Sequence, residues 1–184
     1  MDSSPILYND TVSLRAMEPE DLDLIYQIEN MTEFWRMGAA NVPYSRYAIH
    51  RFIAENRNNL FADGQLRLMI EKKDTRETVG CIDLTAFEPL HRRAETGLLI
   101  LPKFQHRGLG HNALSVLCHY AHSFLQLHQL YAYVAVTNTP AIRLFSSCSF
   151  RSIGTLPDWI CHEETFRPVH LFQRIFSDTK KKYG

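Results

Sequence analysis

The sequence predicts an α/β domain built on one mixed sheet of about seven strands, with helices on both faces. Three observations predict it. Apolar residues switch between alternating and helical spacing in the order strand, two helices, three strands, helix, strand, helix, two strands. No repeat, low-complexity stretch or Gly/Ser linker interrupts the 184 residues, a length that suits one domain with its own core. Hydrophobic residues make up 45% and charged residues 22%, ordinary values for a globular protein. One domain over 1–184 is therefore expected, with its core over about 11–176. Residues 177–184, which include Lys180, Lys181 and Lys182, are expected to be a mobile, solvated tail.

The elements follow in order. Residues 12–16 read as a short strand. Pro19 then opens a helix with Glu20 and Asp21 in its first turn, where the helix dipole favours negative charge, and Leu22, Ile25 and Tyr26 supply its apolar stripe. A loop carrying Phe34 and Trp35 leads past Pro43 to a second helix over about 45–57. Residues 65–72 alternate with Leu66, Leu68 and Ile70 on one face and predict a strand. Further strands are read at 79–85 and 95–101. The longest helix starts near Gly108, and Leu109, Ala113, Val116, Leu117, Tyr120 and Phe124 are expected to face the core. A strand at 130–136, a helix at 139–147 and strands around 150–155 and 169–176 complete the chain.

Composition excludes several functions. Twenty Lys and Arg balance twenty Asp and Glu, and the formal net charge is zero, which argues against a coat for nucleic acid or an anionic membrane surface. The four cysteines (Cys81, Cys118, Cys148 and Cys161) form no C-x-x-C pair, so neither a zinc ribbon nor a thioredoxin-like motif is indicated. The N-terminus lacks the charged and apolar regions of a signal peptide, and no apolar run approaches the length of a membrane span. A cytoplasmic protein with reduced thiols is expected. His119 and His122 could share a helix face, yet with His111 and Ser115 they form the side opposite the apolar stripe. A solvated face is expected there and no metal site.

Chemistry concentrates in Gln105-His106-Arg107-Gly108-Leu109-Gly110, between an apolar strand and the long helix. The first amides of a helix have no internal partner and carry partial positive charge. Glycine lets an anion approach that backbone without a Cβ in the way, and Arg107 adds a fixed cation. A tight turn that merely uses Gly is the plainer alternative. The run is not a P-loop, since no Gly-Lys-Ser/Thr follows. Gly108, Gly110 and Ala113 match a relaxed dinucleotide pattern, but the next strand ends Val136-Thr137-Asn138 without the carboxylate that would hold a ribose.

Gln105-x-x-Gly108-x-Gly110 after a strand resembles the acetyl-CoA pyrophosphate loop of the GCN5-related N-acetyltransferases (GNAT). The run from Asn138 through Ala141, Leu144 and Phe145 to Phe150 is similar to that family's N-x-x-A-x-x-L-Y-x-x-x-G-F block. His91-Arg92-Arg93-Ala94-Glu95 resembles the opening of the central strand in its spermidine N-acetyltransferases, and ribosomal-protein N-terminal acetyltransferases are near relatives. The resemblance implies a GNAT fold whose parallel strands splay apart at the acetyl-CoA site, and transfer of an acetyl group from acetyl-CoA to a primary amine. It further implies that backbone groups of Leu98, Leu99 and Ile100 pair with the pantetheine arm. Gln105, His106, Arg107, Gly108, Leu109 and Gly110 would cradle the pyrophosphate, and Asn138 would bond the pantetheine. Glu95 would draw a proton from the amine. The plainer role for Glu95 is an ion pair with Arg92 or Arg93.

The sequence departs from the family at two positions. Phe145 stands where the family carries the tyrosine that protonates the departing CoA thiolate, and Ser149 replaces the glycine before Phe150. A thiolate with a pKa near 8.5 leaves fairly well unaided, so an active enzyme with Ser146 or water as donor is the main expectation. A CoA-binding regulatory protein without catalysis is the alternative. Cys148 has no neighbouring His in sequence and is read as packing. Expected acceptors are a polyamine or other small amine, or a peptide N-terminus. Glu29, Glu33, Glu88, Asp158, Glu163 and Glu164 fall in regions that border the acceptor cleft in relatives, and Phe34, Trp35 and Trp159 are further candidates for lining it, with core or loop packing the more frequent role for such aromatics. A homo-oligomer is compatible with the sequence; nucleic acid and membrane are not expected partners.

Overall fold

A computed structural model describes residues 6–32, 42–57, 59–162 and 164–176. Its strands are β1 (Val12–Arg15), β2 (Leu66–Lys72), β3 (Thr78–Glu88), β4 (Arg93–Ile100), β5 (Gln129–Ala135), β6 (Arg151–His162) and β7 (Thr165–Ile175). Its α-helices are α1 (Leu22–Glu29), α2 (Arg46–Glu55), α3 (Leu60–Asp63), α4 (Leu109–Ser123) and α5 (Thr139–Ser147). The strands make one sheet in the order β1-β2-β3-β4-β5-β7-β6. Strands β2, β3 and β4 follow one another through short turns and pair antiparallel. The long helix α4 lies between β4 and β5 in the chain, and a crossover of that kind delivers the next strand parallel.

That one parallel pair sets up the site. Its register covers Arg93↔Gln129, Ala94↔Leu130 and Glu95↔Tyr131. Strand β4 runs on to Ile100 and β5 to Ala135 without further pairing between them, so a gap opens in the sheet beyond Glu95.

The alternation of β4 divides its side chains between two cores. Ala94, Leu98 and Ile100 join the main cluster with Leu109, Ala113 and Leu117 of α4. Leu99 touches the main cluster and also packs against the smaller one of Met17, Ile25, Ile49, Met69 and Cys81, to which α1 and α2 contribute. Leu114 and Leu117 are fully buried, each worth about 2–3 kcal/mol of transfer free energy. Among the described residues no helix is long and apolar enough to cross a membrane.

The predicted elements are present, with informative differences. Phe124, expected in the core, is 60% exposed; it is the residue that caps α4 after Ser123, so helical spacing no longer directs it. Helix α3 was not anticipated, although Asn59 caps its start by accepting from the Phe61 and Ala62 amides and Gly64 ends it at φ 66°. Pro19 opens a 3₁₀ turn that leads into α1. Strands β6 and β7 extend well past their predicted limits into a long hairpin. The 177–184 tail, Phe34, Trp35, Glu33 and Glu163 lie outside the described residues.

Candidate active site

The loop leaving β4 is shaped by its own side chains. Pro102–Phe104 forms a 3₁₀ turn, and Gln105 Nε2 returns to donate to the Ile100 carbonyl at 2.9 Å. His106 at φ 60° and Gly108 at φ 75° then turn the chain into α4. Gly108 is the N-cap in the left-handed region, where a Cβ costs about 1–2 kcal/mol. Asn112 Nδ2 donates to the Gly108 carbonyl at 3.0 Å, and its Oδ1 accepts from Asn9 Nδ2 at 2.9 Å. Asn9 thus ties the N-terminal segment to the loop, a contact over a sequence separation that pattern reading does not reach. His106, Arg107 and Gly108 are exposed at the mouth of this turn.

Gly110 has a different duty from Gly108. A Cβ there would come within 3.4 Å of Leu144 Cδ2, 3.5 Å of Leu98 Cδ1 and 3.6 Å of Ile100 Cγ1. These are ordinary contact distances, so a methyl would fit there and a larger side chain would press on β4 and α5 at the gap. Leu101 N donates to Val79 O at 2.9 Å, and main-chain groups of a strand alternate sides. The amides of Leu98 and Ile100 accordingly face the gap, while those of Leu99 are turned to β3. Thr96 Oγ1, on the same strand, is buried without a hydrogen-bond partner among the described residues. An open strand edge, an orphaned buried hydroxyl and a helix start with free amides fit a long ligand with an anionic end. Asn138 caps α5, its Oδ1 accepting from Ala141 N at 3.1 Å.

Glu95 stands at the last paired residue before the gap, half-buried, with its Cα partners Thr85 on one side and Tyr131 on the other. Desolvation raises its pKa above the ordinary carboxylate value. The expected alternative, an ion pair with Arg92 or Arg93, is not what the structure shows. Arg93 donates to Glu88 at 2.9 Å, and Arg92 Nε donates to the Gln126 carbonyl at 2.6 Å. Tyr131 lies on the same face as Glu95, and its hydroxyl is pushed above its usual pKa by burial first and by the Glu95 charge second.

The other acidic candidates divide. Glu29 pairs with Arg67, which also holds Asp83, not itself a candidate, at 2.8 Å, and Glu88 holds Arg93. Asp158 and Glu164 are exposed on the β6–β7 hairpin. Trp159 is 54% exposed and stacks on Tyr133 at 5.4 Å.

Phe145, at the position of the family's tyrosine, and Ser146, the expected donor, have different surroundings. Phe145 is buried, edge-on to Phe150 at 5.1 Å and tilted over Phe172 at 6.0 Å. Ser146 lines a surface pocket with His122, Ser149, Arg174 and Phe176. Arg174 pairs with Leu130 near the start of β5, the end opposite the gap. Cys148 does meet a histidine, which the linear sequence conceals. Its Sγ lies 3.4 Å from His111 Nδ1, which also contacts Ser147 Oγ at 3.0 Å. Cys148 is nevertheless buried, at the contact between α4 and the end of α5.

Residues 11–151 match the family model described as the acetyltransferase (GNAT) domain. The chain is 30% identical over 180 residues to an uncharacterized N-acetyltransferase, p20, of Bacillus licheniformis, covering 97% of this chain and 98% of that one. It is 27% identical over 151 residues to spermidine N(1)-acetyltransferase of Vibrio cholerae, covering 80% and 83% of the two chains. A crystal structure of spermidine N-acetyltransferase from Vibrio cholerae, in complex with CoA and spermine, superposes with a TM-score of 0.79 at 24% identity over 91% of this chain and 96% of that one. The open strand pair, the glycine-turned helix start and the carboxylate between them thus sit on a shared framework, and the chain belongs to the GNAT acetyltransferase family as an acyltransferase.

Proposed function

We propose that the protein transfers the acetyl group of acetyl-CoA directly to the nitrogen of an alkylamine, with Glu95 as the proton acceptor. The observation that carries this reading is the parting of β4 and β5 immediately beyond Glu95. It joins an open strand edge, able to receive the pantetheine arm at Leu98 and Ile100, to a carboxylate held at the edge's start. The exposed Arg107 and the amides that open α4, with the exposed His106 beside them, supply positive potential for the pyrophosphate from the guanidinium and the helix start. Asn138, already fixed as the cap of α5, stands at the far side of the gap for the pantetheine amide.

An alkylamine with a pKa near 10.4 arrives protonated and is not a nucleophile in that form. Glu95, with its pKa raised by burial, is better matched to accept that proton near neutral pH than an ordinary carboxylate. The freed nitrogen attacks the thioester carbonyl, the C–S bond breaks to release CoA as a thiolate, and the nitrogen gives its second proton to solvent as the amide forms. Phe145 cannot protonate it and faces the core. With a thiol pKa near 8.5 the thiolate departs and takes its proton from water. The four free thiols, three of them buried, suit a reducing cytoplasm as the place of work.

The test is release of free CoA by the purified protein from acetyl-CoA with a panel of alkylamines and N-terminal peptides. Amine-dependent release above the protein-free rate is expected. Tight CoA binding with no amine accelerating release would replace this reading with that of a CoA-binding regulator.

A further inference from the structure

Beside Glu95 a line of aromatic side chains leads outward along the sheet. Tyr131 meets Tyr133 edge-on at 5.8 Å, and Tyr133 stacks with Trp159 at 5.4 Å and 28°. Tyr133 and Trp159 are 38% and 54% exposed. These rings pack on one another and not into either core cluster.

The local backbone is arranged to put Trp159 there. Between the pairs Leu156↔Val169 and Ile160↔Arg167, residues 157–159 of β6 stand opposite Pro168 alone. Asp158 takes φ 49° inside this bulge, an uncommon conformation for a residue with a side chain. Bulges re-aim side chains, and this one carries Trp159 over Tyr133.

The charges around the line are equally selective. Arg93 is neutralised by Glu88. Glu95, free of any ion pair among the described residues, leaves one uncompensated negative charge at the inner end. Aromatic faces attract cations, tryptophan most strongly. They do so without accepting a proton, so they do not compete with Glu95 for the proton of the reacting nitrogen.

We propose that Tyr131, Tyr133 and Trp159 form the acceptor subsite, which selects an elongated amine carrying a second, distal ammonium group. The reacting nitrogen lies at Glu95, the methylene chain runs along Tyr131 and Tyr133, and the distal cation rests on the Trp159 face. The assignment rests on the proposed amine acetylation and adds to it the determinant of acceptor length and charge.

The experiment compares butylamine, octylamine and diaminooctane as acceptors for wild type, Trp159→Leu and Trp159→Phe. Wild type should prefer diaminooctane to octylamine. Trp159→Leu should raise the KM for diaminooctane about 5–30-fold relative to that for butylamine, and Trp159→Phe should keep that ratio within about 3-fold of wild type. Equal movement of all KM values, or none, in Trp159→Leu overturns the subsite. If wild type acetylates none of the three, calorimetry of diaminooctane with the CoA-saturated protein decides the subsite by itself. Binding heat lost in Trp159→Leu and kept in Trp159→Phe supports it; heat that is absent from wild type, or the same in all three, overturns it.

Discussion

Two carboxylates of this fold are drawn out of water and respond in opposite ways. Asp21, buried beside β1, faces a desolvation penalty that would raise its pKa. Hydrogen bonds from Arg15 and the Glu18 amide, with the Arg15 charge, overcome it and hold the pKa below the ordinary value. Arg15 donates to Asp21 at 2.7 and 2.9 Å, to Glu71 at 3.0 Å and to Thr78 at 2.8 Å. Glu95 receives no such compensation, and desolvation alone raises its pKa. Satisfied charge at one place holds β1, β2 and the start of α1 together. Uncompensated charge at the other is a standing capacity to take a proton.

The largest expected effect separates the two directly. Glu95→Gln should lower the acetylation rate by about 10²–10⁴-fold, the usual worth of a positioned general base. It should unfold at a temperature no lower than wild type, because it removes a charge the fold disfavours. A large loss of stability would make Glu95 structural and erase the contrast. Gly110→Trp should weaken CoA binding at least about tenfold, equivalent to 1.4 kcal/mol, because its side chain must displace Leu98, Ile100 or Leu144 at the gap. Gly110→Ala, at a tightest approach of 3.4 Å, should fold normally and retain binding by calorimetry.

Arg15→Met should do the reverse of Glu95→Gln. Leaving Asp21 and Glu71 without their cation should cost about 2–3 kcal/mol in urea unfolding, the partial exposure of Arg15 keeping this below the cost for a fully buried pair. CoA affinity at native temperature should be kept. The pH dependences should also part. Asp21, its folded pKa depressed, stabilises the fold at pH above its unfolded value and loses that contribution as pH falls through the folded one. The Glu95-dependent rate should instead rise as pH climbs through a pKa above the ordinary glutamate value. The smallest effect is expected at Ser149, which holds φ 65° just past α5. Ser149→Gly should stabilise the protein by about 1 kcal/mol in the same urea titration.

What was legible in the sequence was local. The order of elements, the cradle from Gln105 to Gly110 and the cap at Asn138 are written in spacings of a few residues. Phe124 misled because its spacing continued one residue past the end of its helix. The Asn9–Asn112 tie, the His111–Cys148 contact and the Tyr131–Tyr133–Trp159 line depend on register between distant segments, which no local pattern records. Gly110 illustrates the middle case. Its identity was read as making room for an anion, and the structure adds packing against Leu98, Ile100 and Leu144.

The central claim is that Glu95 takes the proton from the attacking amine. It is tested most directly by the pH–rate profile of CoA release at saturating acetyl-CoA for wild type and Glu95→Gln. Wild type should show a rate rising with pH through a carboxylate pKa above its ordinary value, and the variant should be about 10²–10⁴-fold slower and lack this limb. A variant with the wild-type rate and the same profile would contradict this role for Glu95.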